Sequence, residues 1–317
     1  MPKFKLIGRR LSAIVKPRLE QGSTVVIIPA KAPTESSFIN AVSSQPPNAD
    51  LCYTAHFNAL EPSQQPLYTV ERLSIPVSRE FVRGFLHLPP SYSAQNAERV
   101  AAAAILCSGA GGGVAGPCGS YITIGDKLAT LNHGVPVLRV DYRYPADTKP
   151  CSEDVVAAMD YLENTYSISK FVLVGWSFGG APVFTVAANE KERVIACATI
   201  ASQTRAAGGI RQLSPRPVLL LHGTDDTTLS PQCSRSLYNA YGAQGDRTLK
   251  LFPGDDHSLR ASSHEAEALL CRFIARCIGI EVDEEQRQLL DKSLIDDEEK
   301  VGLMKKGGDL DGQECVF

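Results

Sequence analysis

Ser177 stands in Gly175-Trp176-Ser177-Phe178-Gly179, directly after the apolar run Phe171–Val174 and directly before a helical pattern. Gly-x-Ser-x-Gly between a strand and a helix forms a nucleophile elbow, a sharp turn that lifts the serine hydroxyl clear of the backbone. Side chains at 175 and 179 would collide where strand and helix close on each other, which accounts for the two glycines. A serine hydroxyl is a poor nucleophile until a base takes its proton, and that base must be a histidine held in one tautomer by an acid.

In elbow enzymes the chain order is serine, acid, histidine. Of the six histidines, His222, His257 and His264 follow Ser177. His222 comes before any acid at a strand end, and His264 falls inside the last helical pattern. His257 lies in Gly254-Asp255-Asp256-His257, just after a strand that ends at Phe252. The order therefore selects His257. The acid is expected at the carboxyl end of the strand 217–221, where open α/β sheets place their sites. Asp225 and Asp226 both stand there, and spacing alone does not rank them.

A tetrahedral acyl intermediate also needs backbone N–H groups aimed at its oxyanion. One is expected from Phe178, the residue after the nucleophile. The other is expected from the loop Ser108-Gly109-Ala110-Gly111-Gly112-Gly113, where glycine lets the backbone approach a ligand closely. This is not a Walker A loop, because no lysine occurs between 100 and 126. The dinucleotide fingerprint fails at Val114, where its last glycine belongs.

These residues need a scaffold, and the pattern supplies one. Tyr68–Ile75 and Phe81–Leu88 alternate as an antiparallel hairpin joined near Pro76–Arg79. From residue 100 onward, buried strands are predicted at Val100–Cys107, Val135–Val140, Lys170–Val174, Val194–Ile200, Pro217–Leu221 and Thr248–Phe252. Helices are predicted near 120–132, 152–165, 178–189, 231–242 and 262–277. Alternation of this kind specifies an α/β fold, a doubly wound and mostly parallel sheet. Before the hairpin, residues 29–66 are rich in Pro, Ser, Asn and Gln and read as loop.

At this point the chain resembles the α/β-hydrolase superfamily over residues 67–279. The resemblance rests on the glycine loop 108–113, Val140-Asp141-Tyr142-Arg143 after a strand, Gly-Trp-Ser-Phe-Gly-Gly, His222-Gly-Thr-Asp-Asp and Gly254-Asp-Asp-His-Ser. It implies the α/β-hydrolase fold, and in the superfamily's His-Gly-x-x-Asp pattern the last residue is the acid, which favours Asp226. The superfamily's loop opens with His-Gly; here Ser108-Gly109 opens it, and the amide position falls to Ala110. Small lidless members, dienelactone-hydrolase-like and acyl-thioesterase-like, are the most similar. Dienelactone hydrolases use cysteine where this chain has Ser177. Lids are commonly inserted after the strand that follows the elbow helix, and the sixteen residues Ala201–Arg216 are too few to build one.

The resulting expectation is a serine hydrolase that cleaves an ester, thioester or small amide through Ser177, His257 and Asp226, with Phe178 and Ala110 as oxyanion donors. The alternative is a non-catalytic ligand-binding or receptor protein on the same scaffold, which a fluorophosphonate probe would leave unlabelled. The expected partner is a small acyl substrate. No cofactor and no metal site is expected, since no His/Cys/Asp/Glu spacing suggests one. A net charge of −3 argues against nucleic-acid binding. Nine cysteines without a C-x-x-C pair read as free thiols of a cytoplasmic protein. Basic, acid-free residues 1–18 raise mitochondrial targeting as an alternative, and no apolar run is long enough to span a bilayer. Three regions are expected: an N-terminal extension 1–66, a catalytic domain 67–280, and an acidic, partly disordered tail 281–317. That tail carries twelve acids against five basic residues.

Trp176 is read as packing under the elbow, and Asp154 as an N-terminal helix charge. Arg139 and Arg143 are read as partners of nearby acids rather than of an anionic substrate.

Overall fold

The computed structural model describes residues 68–89, 92, 101–131 and 134–292. The N-terminal extension and the segment 302–317 lie outside the described residues, as do Cys52 and Cys315.

Hydrophobic alternation builds the chain into one eight-stranded sheet. Its strands are β1 (Thr69–Val77), β2 (Glu80–Leu88), β3 (Ala102–Cys107), β4 (Val137–Asp141), β5 (Lys170–Trp176), β6 (Val194–Ile200), β7 (Val218–Gly223) and β8 (Arg247–Phe252). Their order across the sheet is β1-β2-β4-β3-β5-β6-β7-β8. β1 and β2 form the antiparallel hairpin, joined by Ser78-Arg79 with Ser78 at φ 55°. β2 pairs antiparallel with β4, and the remaining strands run parallel. Every strand of the sequence reading is present, with its ends moved by no more than a few residues.

Both faces of the sheet are covered. The helices are α1 (Ser120–Thr130), α2 (Thr148–Tyr166), α3 (Gly180–Asn189), α4 (Gln232–Ala240), α5 (Ser263–Ile278) and α6 (Glu284–Asp291). Phe171 and Leu173 of β5 pack in one cluster with α2, α3 and α4, while Val172, Val174 and Trp176 pack on the opposite face with α1 and α5. That period of two is what a strand buried on both faces must show. Each fully buried large apolar side chain contributes roughly 1.5–3 kcal/mol relative to exposure. Between β6 and β7 the chain forms only loop and a short 3₁₀ turn, Gly208–Gln212, so no lid domain is inserted.

α6 falls inside the stretch expected as acidic tail, yet it is packed structure. Leu290 is fully buried in the cluster shared with α5. Buried Lys127 of α1 donates from Nζ to the Leu290 carbonyl at 2.7 Å, with Glu267 Oε2 3.7 Å away. Asp154 also differs from expectation. α2 starts earlier than the pattern suggested, with Asp147 as its N-cap accepting from the Lys149 amide, so Asp154 lies inside the helix. Its buried carboxylate accepts from Arg143 Nε at 2.5 Å and from the Arg143 amide at 2.9 Å. Among the described residues no helix is long and apolar enough to cross a membrane.

Candidate active site

The serine, the acid and the histidine all follow strand ends at the carboxyl edge of the sheet. Ser177 opens the 3₁₀ turn Ser177–Gly179 between β5 and α3. Its φ is 54°, in the left-handed region that costs a non-glycine residue about 1–3 kcal/mol and persists only where the surroundings impose it. The surroundings do so here. A Cβ on Gly175 would stand 2.5 Å from Gly179 backbone atoms, and one on Gly179 would stand 2.5 Å from the Ser108 carbonyl. The glycines thus let β5 close on α3 and let the turn close on the loop after β3.

Asp226 sits in the loop after β7 and His257 in the loop after β8. The two loops are stitched together. The Asp225 amide donates to the Asp255 carbonyl at 2.9 Å, the Thr224 amide to the Phe252 carbonyl at 2.9 Å, and the Gly254 amide to Thr224 Oγ1 at 2.8 Å. Asp255 is 2% exposed and uses its carboxylate to accept from the Ala261 and Ser262 amides at the start of α5. The histidine loop is therefore fixed at both ends.

Within this frame His257 Nδ1 lies 2.6 Å from Asp226 Oδ2. The other carboxylate oxygen, Oδ1, accepts from the Thr228 and Leu229 amides at 2.8 Å each. Asp225 is exposed, and among the described residues its carboxylate accepts only from the neighbouring Thr224 hydroxyl, at 3.0 Å. Burial pushes the Asp226 carboxyl up. Hydrogen bonds from His222 and His257 and from the Leu229 amide outweigh that and hold it well below the usual carboxylate range. An ionised Asp226 places the ring proton of His257 on Nδ1 and leaves Nε2 as an acceptor. Among the described residues no hydrogen bond joins Ser177 Oγ to His257.

Two residues have roles that sequence reasoning missed. Trp176, read as packing, is 6% exposed and donates from Nε1 to the His257 carbonyl at 3.2 Å, its ring 5.8 Å from the imidazole. His222, set aside as out of order for a base, lies with Nε2 3.0 Å from Asp226 Oδ2. The signal for His222 was its position four residues before the acid, at a strand end.

The loop after β3 is rigid. Ser108 Oγ donates to the Gly113 carbonyl, the Gly113 amide to Asp141 Oδ1 at 2.8 Å, and the Gly112 amide to the Gly109 carbonyl at 3.3 Å. Arg139 Nη1 holds the Val114 carbonyl at 3.1 Å. Gly112 and Gly113 have φ of 78° and 81°, which only glycine adopts freely. Ala110 lies at the exposed crest of this turn, whereas Phe178 is 5% exposed with its ring edge-on to Tyr142. Burial pushes the Cys107 and Cys197 thiols up to about 12, so neither competes as a nucleophile at neutral pH.

A family model for the α/β hydrolase fold matches residues 103–213. No curated protein matches the sequence. Among solved structures, Est1E from Butyrivibrio proteoclasticus is 17% identical, with 65% of this chain and 98% of that one covered at a TM-score of 0.55. A dienelactone hydrolase from Anabaena variabilis is 17% identical, covering 66% of this chain and 98% of its own at a TM-score of 0.56. A serine hydrolase without a lid, from Xanthomonas campestris, is 16% identical over 68% of this chain and 96% of its own, with a TM-score of 0.50. The strand order, the elbow turn and these likenesses agree on one architecture: the chain has the α/β-hydrolase fold, in its lidless form.

Proposed function

We propose that this protein is a serine hydrolase that cleaves a small ester, thioester or amide through an acyl-enzyme. The reading is supported by the Asp226–His257 contact of 2.6 Å, by a serine held at φ 54° in an elbow, and by the bond from Trp176, the residue before that serine, to the His257 carbonyl. That pairing of an oriented imidazole with a strained, lifted serine is what nucleophilic acyl transfer requires.

In the proposed cycle Ser177 Oγ attacks the substrate carbonyl carbon while His257 Nε2 takes the hydroxyl proton. Asp226 stays ionised and stabilises the imidazolium that forms. The oxyanion is bound by the Phe178 amide and by an amide of the 108–113 loop, for which Ala110 is the assignment. The tetrahedral intermediate collapses, His257 gives its proton to the leaving alcohol, thiol or amine, and the acyl group stays on Ser177. Water then attacks the acyl carbon while His257 takes its proton; the acyl–Oγ bond breaks, His257 returns the proton to Ser177 Oγ, and the carboxylic acid leaves. With no inserted lid domain the site is expected to be open.

The test is a panel of p-nitrophenyl esters of increasing chain length, with one acyl thioester and one aminoacyl anilide, assayed on native protein and on Ser177→Ala. The expected outcome is turnover of at least one short-chain substrate by native protein and none by the variant. Equal rates for the two proteins would reject the reading.

A further inference from the structure

Asp226 has more partners than a triad acid needs. An ionised carboxylate offers about four acceptor positions, and here each has a donor. The Thr228 and Leu229 amides take Oδ1, while His257 Nδ1 and His222 Nε2 converge on Oδ2 at 2.6 and 3.0 Å. His222 is the penultimate residue of β7 and is fully buried. Its Nε2 also lies 2.9 Å from the Leu229 carbonyl, and its Nδ1 lies 2.7 Å from Oγ of Ser234, a buried residue of α4. The Leu229 carbonyl can only accept, so Nε2 carries a proton whether the ring is neutral or charged. In the neutral ring the Ser234 hydroxyl donates to Nδ1; in the charged ring it accepts. Both states leave a donor on Asp226. A side chain that merely filled this space would be cheaper as leucine, because a buried imidazole must recover its lost hydration through hydrogen bonds.

We propose that His222 is a positioning residue: with Ser234 behind it, it fixes Asp226 Oδ2 on the line to His257 and shares that oxygen's charge. The inference rests on the hydrolase reading for its catalytic consequence, but not for its geometry. Two effects follow. Rotation of the carboxylate away from His257 is blocked. The N–H dipole of His222 also opposes positive charge on the imidazole across the shared oxygen, so removing it favours the imidazolium of His257. Among the described residues the other charged side chains of the His257 loop are Asp255, Asp256 and Arg260. Asp255 is engaged by the amides of Asp256, Ala261 and Ser262, and Asp256 by those of Ser258 and Arg260, with Arg260 Nε at 3.9 Å. From β5 the facing group is the uncharged Trp176 ring.

The experiment uses the full chain with His222→Leu, His222→Gln and Ser234→Ala. Imidazole resonances of His257 are followed by NMR against pH, and kcat and KM for p-nitrophenyl acetate are measured across the same range. In His222→Leu the His257 titration midpoint and the acid limb of kcat/KM are expected to move up together by roughly half a unit to one unit. Its kcat is expected to fall by about tenfold or more, with KM changed less than about twofold. His222→Gln, which restores an N–H near the Nε2 position, should return most of both effects. Ser234→Ala should shift the midpoint in the same direction by less. An unmoved titration in His222→Leu, or a His222→Gln variant as impaired as His222→Leu, overturns the proposal. Should the leucine variant fail to fold, Ser234→Ala decides: no upward shift overturns it. The NMR arm needs no turnover. An inactive native protein whose His257 still responds to His222 would sink the hydrolase reading and support the positioning inference, while an active enzyme with an unmoved titration would sink the inference alone.

Discussion

Among the described residues two aspartates, Asp126 and Asp226, meet histidines, and the His87–Asp126 and His257–Asp226 pairs sit in opposite surroundings. On the hairpin side, His87 of β2 lies with Nδ1 3.0 Å from Asp126 Oδ1, and both side chains are fully buried. Its Nε2 accepts from Arg139 Nε at 3.0 Å, Tyr68 donates to the same Asp126 oxygen at 2.5 Å, and Arg139 stacks over Phe85 at 4.9 Å. A Cβ on Gly125 would come within 2.8 Å of the His87 ring, so the pocket is closed. On the other side, the His257 side chain is 16% exposed and its Asp226 partner fully buried. The acid is not what separates the two pairs. In one, both ring nitrogens of the histidine face buried groups, Nε2 toward Arg139 and Nδ1 toward Asp126. In the other, Nδ1 is held by Asp226 and the side chain is partly exposed, and we propose that its Nε2 is the nitrogen that serves Ser177. On the proposed reading, access to the second nitrogen separates a pair that holds the fold together from one that can move a proton.

The contrast can be broken first at the open pair. Ser177→Ala and His257→Ala are expected to lower kcat by about 10⁴–10⁶ with thermal unfolding little changed, magnitudes known for serine-hydrolase nucleophiles and bases. Asp226→Asn should keep the fold and lower kcat by about 10⁴, because the imidazole loses the acid that sets its tautomer. Exposed Asp225→Asn should change kcat less than about twofold. Comparable losses at 225 and 226 would show that the acid has been misassigned.

At the closed pair the expected effect is on stability. His87→Ala leaves Arg139 and Asp126 buried without their shared partner, at a cost of roughly 3 kcal/mol in denaturant melts. The protein that remains folded should turn over substrate within a few-fold of native. A catalytic loss at His87→Ala as deep as that of His257→Ala, in a protein of native stability, would erase the distinction between the pairs.

A smaller effect lies in acid. The Asp226 carboxyl is held below its unfolded value, so its contribution to stability is present above the ordinary carboxylate range near ~4 and is lost as pH falls through that range toward the folded value. Asp226→Asn removes this contribution. Its stability should therefore fall less steeply than native between about pH 4 and 2, as read by urea midpoints at a series of pH values. Parallel curves would mean that the carboxylate is not held as described.

Much of this was legible in the sequence, for identifiable reasons. Val194–Ile200 is apolar but for Thr199 because β6 is buried on both faces, and its ends match the reading. The elbow was readable because the glycines at 175 and 179 answer a steric demand that depends only on local chain geometry. Other features depend on contacts made across the fold. Asp154 was misread because the apolar periodicity becomes regular only from about residue 152, whereas the helix starts at Thr148 with Asp147 as its cap and holds Pro150 in its first turn. Leu290 was hidden by the acidic composition around it, although Gln286 and Leu290 are spaced to share one helix face and both are buried. His222 was missed because the order argument searched for a base, and a second donor to the acid leaves no mark in that order.

The central claim is that Ser177 is a nucleophile activated by His257. Its most direct test is reaction of the purified protein with a fluorophosphonate, followed by peptide mass spectrometry of native protein, Ser177→Ala and His257→Ala. The expected result is a single adduct on the peptide containing Ser177, absent from Ser177→Ala and formed far more slowly in His257→Ala. A folded native protein that stays unlabelled, or an adduct that persists in Ser177→Ala, would contradict the account.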